Sequence, residues 1–430
     1  MTYPVLRLGH VASIKTSNVD KKSYDGEVVV RLCNYTDVYK NDTITSEMDF
    51  MVATATQDQV GKFGLKVGDT VFTKDSETAD DIGIPAYVVD SAHDLVCGYH
   101  LAIARPLEGA TDPRFLYWCL AGPEAAQQWS VLAAGVTRVG LRQADIGKLE
   151  IPVPPIKTQR KVASFLDRET AQIDKLIRKQ ERLIELLAEK RQATITHAVT
   201  KGLDPSAPTK PSGVPWQGPV PEHWTVQPLK NLIRMQTGVT LGKDFSEVET
   251  ETYPYLRVAN VQIGYVDLNE VKEIDLPKDL AATSMLRAGD VLMTEGGDRD
   301  KLARGCIWEA QIAPCVHQNH IFAVRTGDQL LNKFLVLALD ADPARAYFYL
   351  TGKQSTNLAS TNSTTVKNFR FGVPPVVEQH RIVDQLGRKT RLIDDLVDKA
   401  NAVISTLRER RSALISAAVT GKIDVREGVA

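Results

Sequence analysis

Several polar loops in the sequence carry side chains that could hold phosphates or read base edges. Arg and Lys bind phosphates and the acceptor edge of guanine, whereas Asn and Gln can hold adenine with two hydrogen bonds. Such residues concentrate in "KTSNVDKK" from Lys15, "TRVGLRQ" from Thr137, "TGVTLGK" from Thr237, "GGDRDKLAR" from Gly296 and "TGKQSTNLASTNSTTVKN" from Thr351. Any one of them could equally be a solvated loop residue. The candidates for contact with nucleic acid are Lys15, Asn18, Lys21, Lys22, Arg138, Arg142, Gln143, Lys243, Arg299, Lys301, Arg304, Lys353, Gln354, Asn357, Asn362, Ser363 and Thr364.

A repeated spacing of Cys and His raises the question of a zinc site. Cys97 and His100 are three residues apart, as are His317 and His320, and two further cysteines lie near the second pair. A structural zinc ion needs four such ligands, so one pair in each place is too few. His100 and His320 are better interpreted as the start of buried strands, and no resident metal or cofactor is predicted.

Motifs for catalysis are equally weak. Asp69 and Asp290, with Glu295 downstream, could belong to a metal-dependent nuclease, but a Gly-Asp turn that enters a strand explains both aspartates better. "GKFGLKVG" from Gly61 lacks the Gly-Lys-Ser/Thr end of a phosphate-binding loop. The sequence also lacks the Asn-Pro-Pro-aromatic motif of amino-methyltransferases and a glycine-rich cofactor motif. A chain without a catalytic site of its own is therefore predicted.

The elements that would position the polar loops occur twice. "VPPIKTQRKV" from Val153 recurs as "VPPVVEQHRI" from Val373, and at this constant shift 21 of the 59 pairs between residues 146–204 and 366–424 are identical. Upstream, "LKVGDTVFTK" from Leu65 resembles "LRAGDVLMTE" from Leu286. This is an internal repeat of a globular segment followed by a helical one. Short strands broken by Gly, Asp and Asn, with a few helices, predict an α+β class.

Each Pro pair is followed by the pattern of one long helix. Residues 156–200 contain neither Gly nor Pro, and apolar residues return every three or four positions. At 1.5 Å per residue, ~45 residues span roughly 65 Å, and Gly202 and Gly421 are expected to end the helices. A seven-residue frame predicts a helix seam of Leu166, Ile173, Leu176, Leu183 and Leu187 in the first helix and Leu386, Ile393, Leu396, Val403, Leu407 and Leu414 in the second.

A Pro-rich linker separates the two copies, with six prolines from Pro205 to Pro221. A short linker favours a second helix that runs antiparallel along the first. The predicted α+β fold therefore has two similar globular domains separated by two long antiparallel helices that form a coiled coil, in a pseudo-two-fold internal repeat. The predicted segments are a first globular domain at 1–155, a central helix at 156–203, a linker at 204–222, a second globular domain at 223–375, a C-terminal helix at 376–424 and a tail at 425–430.

Charge and cysteine content limit the function further. The formal net charge is −1, and residues 1–155 contain 14 Lys and Arg and 20 Asp and Glu, a net charge of −6. Because phosphate binding depends on Lys and Arg contacts, this domain is not expected to hold a duplex strongly without a partner. Five scattered cysteines suit reduced thiols, and no apolar window approaches a membrane span. A cytoplasmic protein without a membrane partner is predicted.

Over essentially its whole length, the chain resembles the specificity subunit of Type I restriction-modification systems. "VPPIKTQRKV" and "VPPVVEQHRIV" stand at the entries to the helices, "SGVPWQGPVPEHWTVQPLK" resembles the opening of the second recognition domain, and "SALISAAVTGKID" resembles the end of the helical region. One departure is that Gln159 lacks a preceding Glu, where the second copy has Glu378 before Gln379.

The resemblance implies a non-catalytic subunit of a DNA adenine methyltransferase and Type I endonuclease complex. Each target-recognition domain would read one half of a bipartite double-stranded DNA target, and the helices would act as a spacer ruler. The helices would also dock two methyltransferase subunits and, through them, the nuclease/translocase subunits. S-adenosylmethionine would belong to the methyltransferase partner, and ATP and Mg to the nuclease partner.

Two other functions stay open from the residues alone. One is a two-headed protein-interaction scaffold in a related antiviral defence system, and the other is an enzyme with its own nuclease or methyltransferase site. DNA binding with and without the partner separates the scaffold from the specificity subunit, and activity of the isolated chain identifies the enzyme.

Overall fold

The computed structural model describes residues 3–240, 242, 245, 247–299, 302–354 and 358–425. It has two compact units, one formed by Met1–Glu181 with Asn401–Ala430 and the other by Arg182–Ala400. Each unit combines a globular head with the beginning of one long helix and the end of the other. The division follows the duplication, because Glu181 and Asn401 occupy equivalent positions in the two copies. We call residues 3–155 the first head and the described part of 205–375 the second head.

The first head consists of short strands and six helices among its described residues. Its strands are β1 (Val5–Arg7), β2 (Ala12–Thr16), β3 (Val28–Cys33), β4 (Thr43–Ile44), β5 (Met51–Ala55), β6 (Thr70–Thr73), β7 (Asp75–Ser76), β8 (Pro85–Val88), β9 (Leu95–Cys97), β10 (Leu101–Pro106), β11 (Val139–Gly140) and β12 (Glu150–Pro152). Its helices are α1 (Leu8–Val11), α2 (Tyr35–Tyr39), α3 (Gln57–Phe63), α4 (Pro113–Ala121), α5 (Pro123–Leu132) and α6 (Gln143–Ile146).

The second head follows the long helix α7 (Ile156–Lys201) and leads into the long helix α12 (Val376–Val419). Its strands are β13 (Thr209–Lys210), β14 (Val220–Pro221), β15 (Thr225–Pro228), β16 (Ile233–Thr237), β17 (Glu251–Leu256), β18 (Lys272–Leu276), β19 (Val291–Thr294), β20 (Gly296–Gly297), β21 (Gly305–Ile307), β22 (Val316–His317), β23 (Ile321–Thr326), β24 (Lys353–Gln354), β25 (Ala359–Ser360) and β26 (Arg370–Val373). Its α-helices are α8 (Lys278–Ser284), α9 (Asn332–Asp340), α10 (Asp342–Thr351) and α11 (Ser363–Asn368), with 3₁₀ turns at Leu229–Asn231 and Val258–Asn260.

The two heads share a sheet topology. The first has a five-stranded sheet in the order β2-β10-β6-β8-β4 and a three-stranded sheet β5-β3-β9, and the second has β16-β23-β19-β21 and β18-β17-β22. In both, an early strand pairs antiparallel with the strand that leads into the Pro pair, β1 with β12 and β15 with β26. A parallel pair also recurs, β3 with β9 and β17 with β22. The α+β repeat predicted from the sequence is confirmed by this topology.

The core of each unit contains side chains from both long helices. In the first unit, Ile415 and Ala418 near the end of α12 lie in one buried cluster with Leu166 from the beginning of α7 and with the helices α4 and α5. In the second, Ile195 and Ala198 near the end of α7 are buried together with Leu386 from α12. Ile195 and Ile415 are 1% exposed. Because fully burying such a side chain stabilises by about 1.5–3 kcal/mol, the helix ends are integral parts of the two cores.

The Pro pair and the glutamine after it form the same hydrogen-bonded entrance in both copies. Gln159 Nε2 donates to the Pro154 carbonyl at 2.8 Å, and its Oε1 accepts from the Asp112 amide at 2.7 Å. Gln379 repeats this arrangement, with Nε2 donating to the Pro374 carbonyl at 2.9 Å and Oε1 accepting from a backbone amide at 2.8 Å. Both glutamines are buried. The repeated motif therefore fixes the start of each long helix to the loop that precedes α4 or α9.

The two helices are joined by an ion pair that the duplication repeats. Arg411 lies 3.0 Å from Asp174 in the first unit, and Arg191 lies 3.4 Å from Asp394 in the second. Arg191 and Arg411 are equivalent in the two copies, as are Asp174 and Asp394, so the two ion pairs are equivalent as well. The helices end as expected at glycines with positive φ, Gly202 after α7 and Gly421 near the end of α12, both at 76°. Within the described residues, neither these helices nor any other is long and apolar enough to cross a membrane.

The structure corrects the predicted helix seam at four positions, Leu176, Leu183, Leu396 and Val403, whose side chains are 41–48% exposed. The other members of the predicted seam are buried, apart from the half-buried Leu414. The second row of the seam lies one residue further along each helix and includes Ile177 and Ile404, which are 9% and 7% exposed. Residues three and four positions apart both lie near one face of a helix, so the sequence pattern did not decide which of them faces the partner.

Replacing Gln159 by Leu should destabilise the first unit. The change removes the partners of the Asp112 amide and the Pro154 carbonyl, and leaving such buried groups unpaired costs about 1–3 kcal/mol each. The midpoint of urea unfolding should therefore fall. Gln127→Leu on the exposed face of α5 is the control and should stay within about 0.5 kcal/mol of the wild type. Equal midpoints for the two variants would show that the entrance does not depend on Gln159.

Candidate nucleic-acid interface

In the first head, two polar stretches that are far apart in the sequence lie side by side. Strands β7 and β11 pair antiparallel, with Val139 opposite Ser76 and Gly140 opposite Asp75. The Leu141 amide continues this contact by donating to the Lys74 carbonyl at 2.8 Å. The loop that carries Arg138 is thereby held against the end of the main sheet.

The second head repeats this arrangement at the equivalent position. Strands β20, β25 and β24 form one small sheet, and the Thr361 amide donates to the Glu295 carbonyl at 2.8 Å. Thr361 is the equivalent of Leu141 in the second copy. The stretches that start at Gly296 and Thr351, predicted as separate candidate loops, are therefore parts of one surface.

A groove of about 400 Å³ in the first head is lined by two candidate residues, Lys21 and Arg138, and by two tyrosines of α2. The rings of Tyr35 and Tyr39 stack at 5.3 Å. The Tyr39 hydroxyl donates to Asp81 at 3.0 Å, and this hydrogen bond raises the pKa of Tyr39. Cations can hold phosphates, carboxylates can accept from the amino group of cytosine, and aromatic rings can stack on bases. The tyrosines and Asp81 were not among the predicted candidates, although the spacing of four in "YTDVY" could have indicated a shared helix face.

Three other candidates of the first head are bound to the head itself. Lys15 Nζ donates to the Lys62 carbonyl at 2.9 Å, and burial followed by the charge of Arg105 lowers the pKa of Lys15. Asn18 accepts a hydrogen bond from Gln59 at 3.2 Å. Gln143 accepts from the Thr16 hydroxyl at 3.0 Å and donates to the backbone of β2. Each of these side chains therefore already has a hydrogen-bond partner within the head.

Arg142 differs from these three, because its exposed guanidinium is bound at Nε to Asp145 at 2.6 Å. Lys22 and Lys21 are exposed. The candidates that the first head presents most openly are therefore Lys21, Lys22, Arg138 and Arg142.

In the second head, Arg299 organises the candidate surface. Its guanidinium carbon lies 4.2 Å from the centre of the Tyr349 ring, and its nitrogens donate to the Tyr349 carbonyl at 3.1 Å and to Gln354 Oε1 at 3.2 Å. Lys353 is exposed beside Gln354 on β24. Arg304 Nε lies 3.8 Å from Asp340 at a half-buried position.

Asn362 is the N-cap of α11, and its Oδ1 accepts from the Thr365 amide at 2.9 Å. A bidentate contact between Asn362 and adenine, as proposed from the sequence, would share the carboxamide oxygen with this cap, since that oxygen can accept two hydrogen bonds. Ser363 and Thr364 form the first turn of the same helix. Three further candidates, Lys243, Lys301 and Asn357, lie outside the described residues.

The aspartates that could have suggested a nuclease bind arginines. Asp69 accepts from Arg105 at 2.7 and 2.6 Å, and Asp290 accepts from Arg325 at 2.8 and 3.1 Å. Each is buried just before a strand. These bidentate ion pairs occupy the carboxylates in both heads, so the turn interpretation is confirmed.

The histidines considered for zinc have different surroundings. His100 lies 2.9 Å from Asp75, and His320 lies 2.6 Å from Glu295. His317 is fully buried, and desolvation lowers its pKa to about 4. Within the described ranges, no three His, Cys, Asp or Glu side chains are grouped so that they could hold a metal ion.

These features define a class of protein in which one α+β framework is duplicated, carries different polar loops at equivalent positions, and is completed by paired long helices. The family model of the type I restriction modification DNA specificity domain matches residues 2–186 and 221–405. The chain therefore belongs to this family of restriction-modification specificity subunits.

Named relatives agree with this assignment, and a solved structure shows the same fold. The chain is 22% identical over 376 residues to the putative type I restriction enzyme MjaX specificity subunit of Methanocaldococcus jannaschii, covering 86% of this chain and 82% of the relative. It is 24% identical to the EcoBI specificity subunit of Escherichia coli over 74% of this chain and 67% of the relative. A chain from a type I R-M system, solved in a study of complex assembly and conformational transition, has the same fold, with a TM-score of 0.70, 15% identity and 98% coverage of both chains.

The buried His317 predicts acid sensitivity of the second unit. The pKa of this residue is lower in the folded chain than the ordinary value near 6.5, so the unfolded chain binds the proton first and stability is lost as the pH falls from about 6.5 towards 4. Between pH 7 and 5 this amounts to about 2 kcal/mol. Because glutamine does not titrate, the urea midpoint of the His317→Gln variant should fall less than that of the wild type over this range. An unchanged pH dependence in the variant would mean that other groups cause the loss.

Proposed function

We propose that the chain is the non-catalytic DNA specificity subunit of a Type I restriction-modification complex, in which each head reads one half of a bipartite target. We place the recognition domains at 1–155 and 223–375, the helices at 156–203 and 376–424, and the linker and tail at 204–222 and 425–430. The methyltransferase partner would supply S-adenosylmethionine, and the nuclease partner would supply ATP and Mg.

The observation that carries this proposal is the contrast between a common framework and different side chains. The Leu141 and Thr361 amides make the same backbone contact in the two heads, yet the next residue is Arg142 in one and Asn362 in the other. Arg suits guanine, whereas Asn suits adenine, and Asn362 also caps its own helix. Two different half-sites read by one framework would need this combination.

Charge favours binding within a complex. The first head carries a net charge of −6, and residues 205–375 contain 17 Lys and Arg and 18 Asp and Glu. Nonspecific affinity for a duplex comes mainly from neutralised phosphates, so these heads need additional cations. Two methyltransferase subunits that close around the duplex would supply them.

The exposed apolar residues of the long helices support a docking role. Leu176 is 46% exposed in the first unit, and Leu396, its equivalent in the repeat, is 48% exposed in the second. Val403 and Leu183 are a second equivalent pair, 43% and 41% exposed. The same apolar residues are thus presented once in each unit, which matches two copies of one partner. Large exposed apolar patches mark protein interfaces, and the recurrence of these residues in both copies supports such a role.

The isolated chain should bind its specific duplex weakly and bind it tightly when co-purified with its methyltransferase subunit. Leu176→Glu combined with Leu396→Glu should abolish co-purification and, with it, specific binding, because charges replace the exposed leucines. Electrophoretic mobility shifts at physiological salt measure both effects.

Leu176→Met combined with Leu396→Met keeps the apolar surface and is the matched control, expected to behave as the wild type. Thermal melting of both variants checks the fold. Nanomolar specific binding by the isolated chain would contradict the partner requirement. A complex that assembles but binds no specific duplex would favour the protein-interaction scaffold.

The ruler role predicts a change of spacer length. The variant carries two insertions of seven residues, one after Glu181 in α7 and one after Asn401 in α12. Seven residues preserve the helical frame and lengthen each helix by about 10 Å, which is close to the length of three base pairs. The methylated motif, read by sequencing modified DNA, should keep both half-sites and gain about three base pairs between them. Changed half-sites with an unchanged spacer would contradict the ruler role.

A further inference from the structure

Arg142 in the first head is held by one edge of its guanidinium group. Its side chain is 75% exposed, and Nε donates to Asp145 Oδ2 at 2.6 Å. Its two terminal amino groups have no hydrogen-bond partner among the described residues. An arginine bound in this way keeps its end available for a planar acceptor pair.

Asp145 is a well-fixed anchor for this arginine. Its side chain is 6% exposed, and its Oδ1 accepts from Lys148 at 2.9 Å. It lies on α6 beside the fully buried Ile146, and its amide donates to the Arg142 carbonyl at 2.9 Å. The hydrogen bonds from Lys148 and then Arg142 lower the pKa of Asp145, so its carboxylate is ionised at neutral pH. An exposed ion pair between two mobile side chains contributes little, but here one partner is largely buried and held by a second hydrogen bond.

The second head has no such pair at the equivalent position. There Asn362 stands in place of Arg142 and Thr365 in place of Asp145, and Asn362 Oδ1 accepts from the Thr365 amide at 2.9 Å. The same framework is therefore built without the carboxylate and without the arginine. The Arg142–Asp145 pair is a feature of the first head rather than a requirement of the fold.

We propose that Asp145 is a positioning residue that holds Arg142 so that its two terminal amino groups bind O6 and N7 of a guanine in the half-site of the first head. The inference rests on the proposed function and names one base contact within it. Arg binds guanine in this bidentate manner, and prior fixation of the side chain lowers the entropy cost of forming the contact.

The test uses the chain in complex with its methyltransferase subunit and duplexes in which each base pair of both half-sites is replaced in turn. Arg142→Lys keeps the charge but loses the planar fork. It should reduce the preference for guanine at one position of one half-site by roughly 5- to 150-fold, the range of a single bidentate contact. Asp145→Asn, which keeps the size of the side chain, should weaken the preference at the same position by a smaller factor, and the other half-site should be unaffected in both variants.

Lys66→Ala is the control, because it removes an exposed cation of the same head and leaves Arg142, Asp145 and Lys148 with their partners; it should keep the wild-type preference. An Asp145→Asn complex with full preference, beside an Arg142→Lys complex without it, would overturn the positioning role. Equal weakening of all duplexes by Arg142→Lys would overturn the guanine contact in favour of a phosphate contact. If the wild-type complex bound no bipartite target, the proposed function would fail together with this inference, whereas the first two results overturn the inference alone.

Discussion

In each head, one hydrophobic cluster is completed by side chains from the end of a long helix that lies outside the head's own segment of the chain. Ile415 and Ala418 of α12 are needed in the core of the first unit, and Ile195 and Ala198 of α7 are needed in the core of the second. Each long helix therefore contributes its beginning to one unit and its end to the other. This constraint fits the absence of Pro from both long helices, since a proline in the interior would break the helix and separate a head from part of its core.

Polar contacts give these apolar cores a defined register. The buried glutamine of each Pro-Pro entrance links the helix start to the head, and an Asp–Arg pair links the two helices in each unit. Hydrophobic packing is non-directional, so it does not by itself distinguish neighbouring registers. Hydrogen bonds and ion pairs with fixed geometry do, and the duplication kept Gln159, Asp174 and Arg191 with their equivalents in the second copy.

In the candidate interface, the two heads share a backbone arrangement but differ in their side chains. Backbone pairing of β7 with β11 and of β20 with β25 places the variable loops at the same location. The side chains on these surfaces differ between the heads. The first head has a groove with stacked tyrosines and Arg142 anchored by Asp145, whereas the second has Arg299 stacked on Tyr349. These loops can change without disturbing the cores, because none of these side chains belongs to a core cluster.

The sequence by itself determined the duplication, the α+β class and the two long helices, because repeats, helical periodicity and breaks at Gly and Pro are local properties of the chain. It also identified the stretches that form the candidate surface. Only the tertiary structure decided which helix face is buried, since Leu176 and Ile177 fit the same periodicity and the partner helix selects between them. It likewise decided which polar residues are open to a ligand. Gln143 and Arg142 are neighbours in the sequence, but Gln143 is bound to β2 while Arg142 is anchored by Asp145 with its end free. The contact of Gln143 with a strand distant in sequence leaves no trace in the local pattern.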